Sequence, residues 1–184
     1  KGTKSTVLLS LPRDLHLLNT ERMGKGKLNT MYRDFRSYLI YQKGLEPEVA
    51  SIDALQEIAN ELSRKLGINI HHTVKVDFIA FTRAVDTLGG IDIDVPYDIN
   101  DQEYPNETFG YEPFVIKAGP RHLDGETALK YARSRHTTSD FGRSARQQQV
   151  LGTMAHTAKE TGVLKDPAAI TSFMKIMSEN VETT

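Results

Sequence analysis

Asp77-Phe78-Ile79-Ala80-Phe81-Thr82-Arg83-Ala84-Val85-Asp86-Thr87-Leu88-Gly89-Gly90-Ile91-Asp92-Ile93-Asp94-Val95 changes period along its length. Phe78, Phe81, Val85 and Leu88 recur at helical steps, so the spacing predicts a helix capped by Asp77 and stopped by Gly89-Gly90. Ile91, Ile93 and Val95 then alternate with Asp92 and Asp94, the period of a half-exposed strand. Helical and strand patterns that follow one another in this way favour α/β packing.

The same alternation extends in both directions. Toward the N-terminus, His72 to Val76 reads as a strand. Before it, residues 53–66 read as a helix, with Asp53 as cap, Leu55, Ile58, Ala59, Leu62 and Leu66 on one face, and Gly67 as terminator. Residues 19–30, rich in Gly and Lys, are predicted to be a mobile connection. Residues 6–11 are predicted to be a strand that ends at Pro12, with Arg13 and Asp14 on the loop beyond it. Toward the C-terminus, residues 96–113 hold three prolines and read as a long surface loop, with a short strand at 114–116. Asp124 caps a helix that carries Thr127, Ala128, Tyr131 and Ala132; further helices are predicted over 143–160 and after Pro167. No repeat or low-complexity tract divides the chain, so residues 1–184 are expected to form one domain.

Among 184 residues, 23 Lys and Arg face 24 Asp and Glu, a formal net charge of −1. That balance excludes a partner met by a whole basic face, nucleic acid above all. The absence of Cys excludes disulfides, thiol nucleophiles and thiolate zinc sites. No apolar run has the length of a membrane span, and the first residues lack a signal peptide's pattern. Because the chain runs from Lys1-Gly2-Thr3-Lys4 straight into a core-like strand, a preceding anchor or strand is expected to be missing.

Charge is concentrated locally. Between residues 133 and 146 four arginines, Arg133, Arg135, Arg143 and Arg146, accompany one carboxylate, Asp140. On one helical face Arg143, Arg146 and Gln147 lead into Val150, Leu151, Met154 and Ala158. Cations at a helix N-terminus cost roughly 0.3–1 kcal/mol each, a penalty that an anion bound there reverses. Pairing with Asp140 and surface acids is the other reading of the same charges. Arg133 and Arg135 diverge by about 200° on a helix but share a side on an extended segment, and a planar guanidinium suits phosphate. Arg13 and Asp14 lie past the carboxyl end of a predicted strand, where α/β sheets bind ligands.

Other motifs carry less. Gly24-Lys25-Gly26-Lys27 lacks the spacing of a nucleotide-binding loop. His71-His72 cannot both face one metal from a strand, and no Gly-x-Ser-x-Gly elbow is present. Asp92, Asp94, Asp98 and Asp101 lack calcium-loop spacing and read as a solvated strand edge.

Five segments together resemble the LytR–CpsA–Psr family of bacterial cell-envelope enzymes. They are Leu11-Pro12-Arg13-Asp14, Lys27-Leu28-Asn29, residues 85–95, residues 123–135 and residues 140–148, and the likeness covers residues 6–155. The resemblance implies a central mixed sheet flanked by helices, an α-β-α sandwich with an apolar pocket for a prenyl chain. It implies a phosphotransferase at the extracytoplasmic face of the membrane that moves a glycopolymer from a polyprenyl-pyrophosphate donor onto peptidoglycan. Pyrophosphate contacts carry over to Arg13, Lys27, Arg133, Arg135, Arg143, Arg146 and Gln148, with Arg13, Arg133 and Arg135 also catalytic. Asp140 would orient or deprotonate the acceptor hydroxyl, and Asp14 matches a position associated with Mg2+ or Mn2+. The family's earlier Asp-bearing strand has no equivalent in residues 1–5, and its membrane helix is absent from the sequence. Hydrolysis of the lipid-linked donor, and non-catalytic binding of lipid-linked envelope polymer, are the alternative activities.

Overall fold

The computed structural model describes residues 7–12, 14–16, 18–20, 24–106, 108–135, 140–162 and 181–183. Its elements run β1 (Leu18–Thr20), β2 (Gly24–Gly26), α1 (Leu28–Lys43), α2 (Pro47–Leu66), β3 (Val74–Val76), α3 (Phe78–Thr87), β4 (Ile91–Val95), β5 (Ile99–Pro105), β6 (Tyr111–Ile116), β7 (Gly119–Leu123), α4 (Gly125–Arg133), α5 (Asp140–Glu160) and β8 (Val181–Thr183). The α/β class is as expected. The described strands pair antiparallel, β1 with β2, β3 with β8, β4 with β7 and β5 with β6. The chain divides into two compact units, Lys1–Ser10 with Asp77–Asn180, and Leu11–Val76 with Val181–Thr184.

The first unit is built around residues 77–95. The Asp77 carboxylate accepts the Ala80 N–H at 2.7 Å and starts α3. In β4, Ile91, Ile93 and Val95 are buried while Asp92 and Asp94 face outward. Ile91 pairs with Leu123 of β7, and both join Val85, Ile99, Tyr131 and Val150 in the core. The Asp124 carboxylate accepts the Thr127 N–H at 2.8 Å and caps α4. The first turn of α4 docks tightly on α3. The Gly125 N–H donates to Asp86 at 2.7 Å, and a Cβ on Gly125 would collide with the Thr82 main chain.

Residues 96–113 are not a long loop. Most of them form the β5–β6 hairpin, turned by Asn106, whose side-chain oxygen accepts the N–H groups of Thr108 at 3.1 Å and Gly110 at 2.8 Å. The ladder shifts register between Asp101 and Tyr104, so Ile99, Asp101 and Tyr104 all turn inward. This irregularity broke the alternation that would have marked the strand. The strand expected at 6–11 is also corrected: residues 7–12 form no ladder with any described strand. Val7 and Leu9 are exposed there, and among the described residues no strand pairs with the apolar run. The helix predicted from 143 begins earlier, at Asp140, and the one after Pro167 lies outside the described residues.

In the second unit, residues 19–30 hold the β1–β2 hairpin rather than a mobile connection, and α1 follows directly. Phe35 and Leu39 of α1 pack with Ala50 and Ala54 of α2. Helix α2 begins at Pro47, before the predicted Asp53 cap, because proline suits the first helical position. It ends as predicted at Gly67, whose φ of 67° is the left-handed conformation that glycine adopts without strain.

Candidate functional site

Helix α4 ends on Arg133 because Ser134, at φ −51° and ψ 139°, leaves the helical region. The Arg133 guanidinium lies 4.1 Å from the centre of the Phe78 ring and 5.4 Å from that of Tyr104. Its Nη1 also donates to the Tyr104 hydroxyl at 3.0 Å. Burial pushes the Tyr104 phenol above its ordinary value of 10, against the opposing charges of Arg133 and Lys130. Tyr104 therefore stays neutral at physiological pH, accepts from Arg133 and retains a proton to donate. Beside this cation Phe78 and Ile79 are exposed at 55% and 54%, so an apolar surface adjoins a positive charge.

The two residues after the helix are held from β5. The buried Asp101 carboxylate accepts the Ser134 hydroxyl at 2.8 Å and the Arg135 N–H at 2.9 Å, both on Oδ2. Its Oδ1 accepts the Glu103 N–H at 3.2 Å. Asp101 is thus not on the solvated edge expected of it; by strand alternation it shares the inward face of β5 with Ile99. Arg135 itself is exposed.

Arg146, only 2% exposed, has a different place from the one expected. Its Nε donates to the Tyr131 carbonyl at 2.9 Å, its Nη2 to the Ser134 carbonyl, and its Nη1 to the Tyr97 hydroxyl at 3.4 Å. The end of an α-helix leaves carbonyls without intrahelical partners and carries partial negative charge. The cation on the first turns of α5 therefore answers the C-terminus of α4, and the helical stripe needs no external anion at that position. Gln147 adds a 3.4 Å bond to the Ala132 carbonyl. Below these residues Val150 is fully buried and Met154 packs on the core, as the stripe predicts, whereas Leu151 is half exposed.

The remaining candidates fall at several places. Arg143 is half-buried near the start of α5. Gln148 donates to the Ser10 hydroxyl at 2.8 Å and to the Leu8 carbonyl at 3.4 Å, which fastens α5 to the segment before Pro12. Asp140 is the first residue of α5, but its side chain lies outside the described residues, as does Arg13. In the second unit Lys27 precedes α1, with its ammonium 3.6 Å from Asp14. Asn29 also reaches Asp14, at 3.4 Å.

Asp14 is a single half-exposed carboxylate beside an ammonium. Among the described residues no group of three or more His, Asp or Glu side chains is placed to hold a metal ion. Asp14 offers one carboxylate to any divalent ion bound there, the kind of ligand that Mg2+ combines with substrate phosphates, and the steps below are those of the cationic side chains.

Sequence reasoning missed Phe78, Asp101 and Tyr104. The sequence places Phe78 only on the apolar side of a helix, and Asp101 and Tyr104 within residues 96–113. No local motif marks any of the three as a neighbour of the arginines; only the docking of α3 and β5 around the end of α4 reveals it.

The chain is 33% identical over 184 residues to the polyisoprenyl-teichoic acid–peptidoglycan teichoic acid transferase TagV of Bacillus subtilis (strain 168), covering 98% of this chain and 41% of TagV. It is 27% identical over 189 residues to the polyisoprenyl-teichoic acid–peptidoglycan teichoic acid transferase TagU of Bacillus licheniformis, covering 98% of this chain and 50% of TagU. The crystal structure of B. subtilis TagV matches with a TM-score of 0.63 at 30% identity, over 95% of this chain and 58% of that one. The chain spans about half the length of these curated relatives. The LytR_cpsA_psr family model matches residues 1–184, and with that match running the whole length the chain belongs to the LytR_cpsA_psr family.

Proposed function

We propose that this domain binds a polyprenyl-pyrophosphate-linked glycopolymer of the teichoic-acid class and transfers it to peptidoglycan at the extracytoplasmic face of the membrane. Among the described residues no helix is long and apolar enough to cross a membrane, and the proposed association rests on the lipid donor. The observation that carries the reading is the Arg133 guanidinium stacked on Phe78, next to an exposed apolar surface. A cation and an apolar face side by side suit a ligand with an anionic head and a hydrocarbon tail. Arginine binds such a head through two parallel hydrogen bonds.

The reaction is a phosphoryl transfer, in which positioning and charge neutralisation dominate. The acceptor hydroxyl oxygen attacks the glycan-bearing phosphorus, and the bond from that phosphorus to the bridging oxygen breaks. Polyprenyl monophosphate leaves with the electron pair, and the hydroxyl proton passes to a base, the role assigned to Asp140. Arg133, Arg135 and Arg143 stabilise the negative charge on the leaving group, and the Tyr104 hydroxyl orients Arg133.

Polyprenyl phosphate binding tests the proposal. Replacing Arg133 and Arg135 together by Ala should abolish binding while the circular dichroism spectrum is preserved. Unchanged lipid affinity overturns the reading. Product analysis with and without peptidoglycan then separates transfer, which needs the acceptor, from hydrolysis, which releases glycopolymer phosphate into water alone.

A further inference from the structure

We propose that Asp101 is a positioning residue that acts on the anion through Arg135, an inference that rests on the anion-binding reading above. Asp101 projects inward from β5 at the point where the β5–β6 ladder changes register. Irregularities of this kind re-aim side chains and are frequent beside functional sites. Burying a carboxylate is costly unless hydrogen bonds replace its lost water, and here the replacements come largely from the residues following α4. Ser134 gives its hydroxyl and Arg135 its main-chain N–H, both to Oδ2.

The same Ser134 presents its carbonyl to the buried Arg146. Opposite charges thus bond the hydroxyl and the carbonyl of one residue, one from β5 and one from α5. The main chain at 134–135 is fixed between Arg133, which ends the helix, and the exposed side chain of Arg135. A carboxylate near cations that bind an anion should weaken that binding if it acts only through its field. Its value must therefore lie in geometry, since catalytic and binding groups lose much of their effect when displaced by about 1 Å. Asp101 holds the main chain of Arg135 through its N–H, so it sets where that residue's side chain starts.

A double-mutant cycle with inorganic pyrophosphate as the probe tests this, using the full 184-residue chain. Asp101→Ala should weaken pyrophosphate binding roughly 10- to 100-fold, and Asp101→Asn, which keeps an acceptor oxygen, should restore most of it. In an Arg135→Ala background Asp101→Ala should cause no further loss, because the two residues act in series. Hydrogen exchange at the Arg135 amide should accelerate in Asp101→Ala. If that variant does not fold, Ser134→Ala removes the hydroxyl donor to Oδ2 and should weaken binding about threefold, again only when Arg135 is present. Losses that add in the double variant, or an unchanged Arg135 amide, overturn the positioning role. Wild-type protein that binds neither pyrophosphate nor polyprenyl phosphate overturns the anion site itself, and the role of Asp101 falls with it.

Discussion

Arg133, the last residue of α4, donates to the hydroxyl of Tyr104 on β5 at 3.0 Å while its guanidinium lies against the Phe78 ring of α3. The arginine is thereby oriented by one polar contact and one aromatic face, from two elements that sequence order separates. Tyr104→Phe keeps the second ring and removes the polar contact. We expect polyprenyl phosphate affinity to fall about twofold to fivefold and stability to drop by about 0.5–1.5 kcal/mol, as for loss of one hydrogen bond. Arg133→Lys should behave nearly as Arg133→Ala, because an ammonium cannot reproduce the planar fork or its stacking. Titration calorimetry with each variant measures both expectations.

Arg146 and Arg135 are both arginines of the same cluster, yet their substitutions should separate cleanly. Arg146→Ala strips the Tyr131 and Ser134 carbonyls of a buried donor and should cost about 3–5 kcal/mol in a urea unfolding experiment. Arg135→Ala, at an exposed side chain, should change stability by about 0.5 kcal/mol or less while weakening pyrophosphate binding roughly 10- to 100-fold.

Gly125 sets how closely α4 approaches α3. Its position leaves no room for a methyl group against the Thr82 main chain. Gly125→Ala should therefore destabilise the protein by about 1–3 kcal/mol, the usual cost of overpacking. Because the displaced helix carries Arg133, lipid binding should weaken as well. Thermal melts and the same lipid titration report the two effects.

Acid dependence has an identifiable contributor at the start of the same helix. The Thr127 N–H holds the Asp124 carboxyl below its ordinary value of 3.8. A carboxyl depressed on folding stabilises the folded state above the unfolded value and loses that effect as the pH falls through the folded one. Asp124→Ala should cost about 1 kcal/mol near neutral pH, with the difference from wild type shrinking below about pH 4. Urea unfolding at a series of pH values checks the convergence.

At alkaline pH the expectation reverses sign. Burial raises Tyr104 and Tyr131 above 10, and hydrogen bonds to Glu112 and Glu126 raise Lys130 above 10.5. The folded state keeps these protons after the unfolded chain has released them, so stability should decline as the pH rises past 10. Lys130→Met should flatten part of that decline in the same unfolding series.

The elements legible in the sequence are those whose period and cap agree. Asp77 with α3, Gly89-Gly90 with β4, and Asp124 with α4 each carry two independent signals, and the structure has all three. Helix α1 has one signal only. Met31, Phe35 and Leu39 recur every four residues, but Lys27 offers no side-chain cap and the first turn has no acid. The β5–β6 hairpin was illegible because its register shift places Asp101 and Tyr104 on the buried side three residues apart. In the site, the arginine cluster was visible as composition, but its division of labour was not. Whether a guanidinium meets solvent or the carbonyls of a neighbouring helix depends on tertiary packing, and Arg135 and Arg146 fall on opposite sides of that division.

The grip on Ser134, with Asp101 on its hydroxyl and Arg146 on its carbonyl, bears on the thermodynamics of ligand capture. A segment already immobilised in the free protein surrenders little conformational entropy when an anion arrives, so more of the contact energy survives as affinity. Under the proposed function, the main chain at the end of α4 would thus be in place ahead of the anion it meets.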